Sequence, residues 1–170
     1  KSSSAGTNAI ATASASNVSG GALTGNVTPS NGGMGYTSLP TVTITGDGSG
    51  GTATVTLVNE VITNIALSGG SGWSNPPSLS ISAPEGTTYS PTTGNLSVCL
   101  PSHGFSNGDL LRLEKEGFAF TCTTDGNTTA KKYPRNTGEF QNTGKADFAY
   151  GKILSASVPN INRVIVFIGT

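Results

Sequence analysis

Gly32-Gly33-Met34-Gly35-Tyr36-Thr37-Ser38-Leu39-Pro40-Thr41-Val42-Thr43-Ile44-Thr45 recurs, without a gap, as Gly69-Gly70-Ser71-Gly72-Trp73-Ser74-Asn75-Pro76-Pro77-Ser78-Leu79-Ser80-Ile81-Ser82. The offset is 37 residues throughout (69 − 32). Gly35 meets Gly72, Tyr36 meets Trp73, Pro40 meets Pro77 and Ile44 meets Ile81. Thr41 to Ile44 alternates polar and apolar, the period of a strand with one face buried. The glycines before it permit positive φ and close backbone approach. Tyr36 or Trp73 then supplies an apolar plate to cover the bare backbone. Pro40 and Pro77 fix the entry to the strand and are barred from a central ladder. These eight positions define one β unit, present twice.

The match extends backwards with a slip in offset. Ala22-Leu23-Thr24-Gly25-Asn26-Val27 resembles Val61-Ile62-Thr63-Asn64-Ile65-Ala66, and Ala11-Thr12-Ala13-Ser14 resembles Ala53-Thr54-Val55-Thr56. A period in this range marks units that bury an apolar face against a neighbour. Each copy has few large side chains, so a single copy is marginal. The two copies are therefore expected to stack, and the chain to oligomerise.

Composition narrows the function. Of 170 residues, 34% are hydrophobic, 11% are charged and 24 are Gly, with a formal net charge of +0. Thr and Val favour strands while Gly, Asn and Pro favour turns, so many short strands are expected. A phosphate partner needs a basic stripe, and only Lys131-Lys132 and Arg135 come near one. No nucleic-acid partner is expected. No apolar run reaches the roughly 18 residues of a membrane span. Lys1 to Gly6 lacks an apolar leader, which fits a processed or trimmed product. The best helical window, Gly108 to Phe120, is cut by Gly117. Leu111-Arg112-Leu113 and Phe118-Ala119-Phe120 alternate instead, as strands joined by a charged turn at Glu114-Lys115-Glu116.

The fold class expected is all-β with little or no helix. A glycine-rich repeat module spans 1–85 and a small β-sandwich spans 86–170. In the second module a turn at Pro91 to Gly94 feeds a strand ending at Leu100. Ser102 to Asp109 forms another turn, and Asp125-Gly126-Asn127 is a strong turn signal. Residues 136–147 read as a long loop. Two more strands, Lys152 to Val158 and Arg163 to Ile168, are split by Pro159-Asn160. About six strands in this length suggest a sandwich.

The repeated Gly-x-Gly-aromatic-x-x-x-Pro-x-Val-x-Ile pattern, over about residues 10–84, resembles the glycine-rich repeats of virion structural proteins of tailed bacteriophages, tail-fibre proteins among them. It also resembles repeats in large bacterial surface proteins. The second half resembles a domain of marine, cyanophage-like tailed-phage virion proteins. That likeness is carried by Tyr89-x-Pro91-x-x-Gly94-x-Leu96, Ser102-His103-x-x-x-x-Gly108-Asp109, and Phe120-Thr121-Cys122-x-x-Asp125-Gly126-Asn127 followed by Tyr133-Pro134-Arg135. Residues 136–150 carry no such likeness. The resemblance implies a non-enzymatic accessory protein on the virion exterior: a capsid decoration or head fibre, or a tail or tail-fibre part. It implies partners among sister chains, as a trimer or another symmetric assembly, and among other virion proteins, with a host surface glycan as a further contact. No cofactor and no membrane are implied.

Candidate chemical sites are few. His103, the only histidine, sits in a glycine-rich turn, where a turn hydrogen bond is expected rather than a catalytic triad. Asp125 and Asn127, with Asp109 more distant, could offer oxygen ligands to calcium, but Asp-Gly-Asn is also an ordinary turn. No metal site is expected. Cys99 and Cys122 carry no zinc spacing and no CxxC, leaving two buried thiols or one disulfide. Lys131 to Arg135 is either a small docking surface or a solvated strand end. Tyr36 and Trp73 could stack on sugar, but their shared repeat position favours a structural role. Two rival functions follow. One is a bacterial extracellular filament or adhesin subunit, whose edge a neighbour's strand would complete, that strand being Arg163 to Ile168 or the arm before residue 20. The other is a carbohydrate-binding module with an exposed aromatic platform.

Overall fold

The structure, a computed structural model, describes residues 6–120, 128, 130–136 and 146–170. It is nearly all β: 45% of residues lie in strands and 2% are helical, so the all-β class stands. The chain divides into two compact units. Unit 1 takes the chain up to Thr88 with Val98–Gly104 and Asn160–Arg163. Unit 2 takes Tyr89–Ser97, Phe105–Pro159 and Val164–Thr170. The expected boundary near 85 lies close to the first of these breaks. The later exchanges of segment fall beyond the repeat and left no mark in it.

Unit 1 contains β1 (Val18–Ser19), β2 (Ala22–Leu23), β3 (Asn26–Val27), β4 (Val42–Thr45), β5 (Ser49–Val58), β6 (Val61–Ser71) and β7 (Ser78–Ile81). β6 is central. β5 pairs along one side of it, and β2 and β3 pair in succession along the other. The β5–β6 hairpin turns at Asn59 (φ 50°) and Glu60 (φ 66°), positive at both central positions. A two-residue type I′ turn requires this, and it matches the twist of the flanking strands. β4 pairs antiparallel with β7 as a separate ribbon.

The repeat explains the pairing. Val42 faces Ile81, Thr43 faces Ser80 and Ile44 faces Leu79. Ile44 and Ile81 are repeat equivalents, and so are Val42 and Leu79. The ribbon therefore relates the two copies by a local two-fold through Thr43 and Ser80. The same exchange recurs elsewhere in the unit. Tyr36 N–H donates to Glu60 O at 3.3 Å, and Trp73 N–H donates to Gly21 O at 3.1 Å. Ile62 N–H donates to Gly32 O at 2.9 Å, while Leu23 pairs with Gly69. Each copy completes the backbone hydrogen bonds of the other, which a buried backbone demands.

Tyr36, Ile62, Ile65, Leu67 and Trp73 are buried between these elements, and the β4–β7 ribbon lays Val42, Ile44, Leu79 and Ile81 against them. Trp73 covers glycine backbone. A Cβ on Gly48 would lie 2.4 Å from Trp73 Cδ2, and one on Gly33 would lie 2.8 Å from Tyr36 Cε2. The glycines are there because a ring lies on them.

Unit 2 holds β8 (Thr88–Ser90), β9 (Asn95–Cys99), β10 (Leu110–Leu111), β11 (Phe118–Phe120), β12 (Lys131–Tyr133), β13 (Leu154–Asn160) and β14 (Arg163–Phe167), the ends of some strands being shared with unit 1. Five of them form one sheet in the order β10-β13-β14-β9-β8. β11 and β12 form an antiparallel ribbon. Tyr133 OH donates to Ile168 O at 2.6 Å and accepts from Ala149 N–H at 3.1 Å. Among the described residues, the strands of unit 2 thus form a five-stranded sheet and a two-stranded ribbon. Two details differ from expectation. β10 and β11 do not pair with each other but with β13 and β12. Pro159 lies within β13, and the chain reverses at Ile161-Asn162 instead of Pro159-Asn160. Pro159 is exposed and near the strand end, where its missing N–H is tolerated.

Candidate assembly site

The repeat-defining side chains are structural. Tyr36 is 2% exposed and Trp73 is 3% exposed, so neither presents a platform to a sugar. Tyr36 OH accepts from Ala9 N–H at 2.9 Å. Trp73 Nε1–H has no partner among the described residues. Pro77 is buried and Pro40 half-buried, each just before its strand. Gly35 and Gly72 have φ of 90° and 78°, a region closed to most side chains. Ile44 and Ile81 lie on the inner face of the ribbon.

The turns after the two aromatics are capped across the local two-fold. Glu85 accepts from Thr37 N–H at 2.7 Å and from Ser38 Oγ–H. Asp47 accepts from Ser74 N–H at 3.3 Å and from Asn75 Nδ2–H at 2.8 Å. Thr37 and Ser38 are the repeat equivalents of Ser74 and Asn75. Each copy thus ends in a carboxylate that caps the other copy's turn. Slight desolvation pushes the exposed Glu85 carboxyl up, but hydrogen bonds from Ser38, Thr37 and its own amide outweigh it and hold the group at about 2. The Asn75 amide and then Ser74 N–H hold Asp47 below the usual carboxylate value against slight desolvation.

Glu60 brings the distant chain segment into unit 1. Its carboxylate takes Arg163 Nη2–H at 2.7 Å, Arg163 Nε–H and Asn160 Nδ2–H at 2.9 Å. Arg163 also donates through Nη1 to Gly86 O at 2.9 Å, and Asn162 Nδ2 donates to Asn59 O at 2.8 Å. Glu60 and Arg163 are 8% and 3% exposed. A planar guanidinium fits a carboxylate two-pronged, and Lys would not. Sequence reasoning missed this pair. The available signal was a Glu at the second position of a turn that ordinarily takes Gly.

The other candidates are accounted for locally. His103 is buried, and its Nε2–H donates to Asn160 O at 3.0 Å; a carbonyl only accepts, so the proton sits on Nε2. Asp109 accepts from Ser106 N–H at 2.8 Å within its turn. Asp125, Asn127 and Cys122 lie outside the described residues. Cys99 is a buried free thiol, raised by burial and by the Glu60 carboxylate, with Arg163 opposing; the expected alternative of a bond to Cys122 falls on a residue outside the description. Of the basic cluster, Lys132 pairs with Glu116 at 2.9 Å and Arg135 with Asp147 at 3.0 Å. These acids neutralise much of the proposed docking charge.

What remains open is an edge. β5 is ten residues long, Ser49 to Val58, and carries no charge and no proline. Among the described residues it pairs only with β6. Thr52, Thr54 and Thr56 are exposed, while Ala53, Val55 and Leu57 turn toward the core. Sheet edges are usually blunted by Lys, Pro or a bulge because their free N–H and C=O groups template another strand. The one register shift here leaves Thr63 of β6 as the extra residue, so the β5 side stays regular from Gly51 to Thr56.

Neither a family model, nor a curated protein, nor a solved structure corresponds to the chain. No described helix is long and apolar enough to cross a membrane.

Proposed function

We propose that this chain is a non-enzymatic structural subunit on the exterior of a tailed-phage particle, as a capsid decoration or head fibre, or as a tail or tail-fibre part. It works by assembly with sister chains and with other virion proteins. The observation that carries the assembly half is the uncharged ten-residue edge of β5, unpaired on its outer side among the described residues, a surface that a solitary protein ordinarily protects. The placement on a phage rests on the repeat and second-half motifs quoted above. A zero net charge and faces rich in Thr, Ser and Asn suit a surface packed against copies of itself.

The same edge suits a bacterial filament subunit completed by a neighbour's strand, which stays as the second reading. Electron microscopy of intact particles labelled with an antibody to this chain separates the two. Label over the shell or along the tail is the expected result and sorts head from tail. Label on cell-borne filaments, with none on particles, overturns the phage placement and favours the filament.

A further inference from the structure

The edge of β5 specifies its partner. Thr52-Ala53-Thr54-Val55-Thr56 reads nearly the same in both directions about Thr54. An antiparallel copy of the same strand, centred there, would set Thr54 against Thr54 and Thr52 against Thr56. On the inner face, Ala53 would meet Val55. Thr–Thr pairs directly opposite each other stabilise antiparallel sheets, and no like charges would meet. A strongly charged partner strand would find nothing to pair with over these ten residues.

The chain already uses this device internally. β4 and β7 are repeat equivalents that pair antiparallel about a local two-fold through Thr43 and Ser80. In β4 the residues flanking the centre are Val42 and Ile44, again apolar on both sides of a Thr. β5 offers the same alternation about Thr54, with Ala53 and Val55 as the flanks, and among the described residues no strand pairs with its outer side. We infer that β5 pairs antiparallel with β5 of a second copy of this chain, about a two-fold axis at Thr54, joining the β5–β6 sheets of two molecules into one. The inference rests on the assembly function proposed above and adds the surface and the partner. A two-fold contact of this kind is isologous and closes, so it gives a dimer and not an open fibre.

The test uses the full chain in sedimentation velocity over micromolar concentrations, with two variants. Thr54→Lys places two ammonium groups opposite each other at the axis and is expected to weaken the dimer by about ten-fold or more, since like charges directly opposite repel. Thr54→Cys is expected to cross-link to itself under mild oxidation, because opposed Cα atoms about 4.5–5.5 Å apart lie within disulfide reach. The unaltered chain, treated identically, controls for Cys99 and Cys122. A dimer that Thr54→Lys weakens and Thr54→Cys traps supports the pairing. An oligomer insensitive to Thr54→Lys, with no Thr54→Cys cross-link, overturns the β5 assignment and leaves assembly through another surface. A monomer at every concentration overturns both.

Discussion

At the scale of single residues, Glu60 is in an unusual place. It sits at positive φ, where a non-glycine residue costs roughly 1–2 kcal/mol. Its carboxylate is buried, which is worse unless fully paired. Arg163 and Asn160 supply that pairing, so the site is stable only as a set. Arg163→Met is expected to destabilise the chain by about 3–5 kcal/mol, because it strands a buried carboxylate. A urea melt followed by Trp73 fluorescence reads this directly; a loss near zero would show that water already satisfies Glu60. Trp73→Ala is expected to cost about 3–5 kcal/mol, as for other buried aromatics truncated to Ala. Because Trp73 is 3% exposed, its emission in the native chain should be blue-shifted and indifferent to sugar titration. A saturable shift with a glycan would revive the carbohydrate-binding reading.

Glu85 gives a pH dependence whose sign is fixed. Its folded value of about 2 lies below the ordinary 4.5, so the ionised form is favoured in the folded state. Its contribution is fully present above 4.5 and is lost as pH falls from there toward 2. The group is exposed, so solvent screening keeps the effect at about 1 kcal/mol or less. Glu85→Gln should therefore melt at lower urea than the unaltered chain at neutral pH. The gap should close in the acid window. A gap unchanged across that window would mean that the Thr37 and Ser38 bonds do not depend on the charge.

At the scale of elements, the gapless repeat made much of unit 1 legible. It placed β4 and β7 to within a residue or two, and it assigned Tyr36 and Trp73 to covering glycine backbone. It did not say that β4 and β7 would pair with each other, because a repeat specifies equivalence and not which equivalent strands meet. The β5 edge was also unread. An alternating Thr/Val run predicts a strand, but whether its outer side is covered depends on strands far away in sequence. In unit 2, the alternation at Phe118 to Phe120 located β11, while the strand expected over Leu111 to Leu113 is confined to Leu110–Leu111, and neither reading gave the partner. Partner choice there depends on β13 and β12, far along the chain. The ring-on-glycine packing has a sharp consequence. Gly48→Ala would drive its Cβ to 2.4 Å from Trp73 Cδ2, so the ring must leave its place. The expected cost is of the order of the 1–3 kcal/mol for overpacking, or more, with a red-shifted Trp73 emission. Gly20→Ala has nothing within 4 Å but carries φ 59°, so it should cost only the backbone strain and leave the emission alone.

At the scale of the whole molecule, the order of segments matters more than the count of residues. Unit 1 is not the N-terminal half of the chain, because Val98–Gly104 and Asn160–Arg163 belong to it. A fragment ending at Thr88 contains every strand from β1 to β7 but lacks Arg163, Asn160 and Asn162. In that fragment, Glu60 keeps its strained backbone and loses the side chains that justify it. A single substitution should then have opposite signs in two contexts. In the full chain, Glu60→Gly relieves about 1–2 kcal/mol of strain but takes the carboxylate away from buried Arg163, which costs about 3–5 kcal/mol, a net loss of about 1–4 kcal/mol. In the fragment there is no Arg163 to strand. The same change removes a misplaced charge and turns Asn59-Glu60 into Asn-Gly, the preferred type I′ pair, a gain of roughly 1–2 kcal/mol. Urea midpoints of four proteins, full chain and fragment with and without Glu60→Gly, measure both signs. Inversion would show that the ion pair, and not the turn, selects Glu at this position. Destabilisation in both contexts would mean that Glu60 serves the hairpin itself, and that the returning segment is an accessory to unit 1 and not part of its closure.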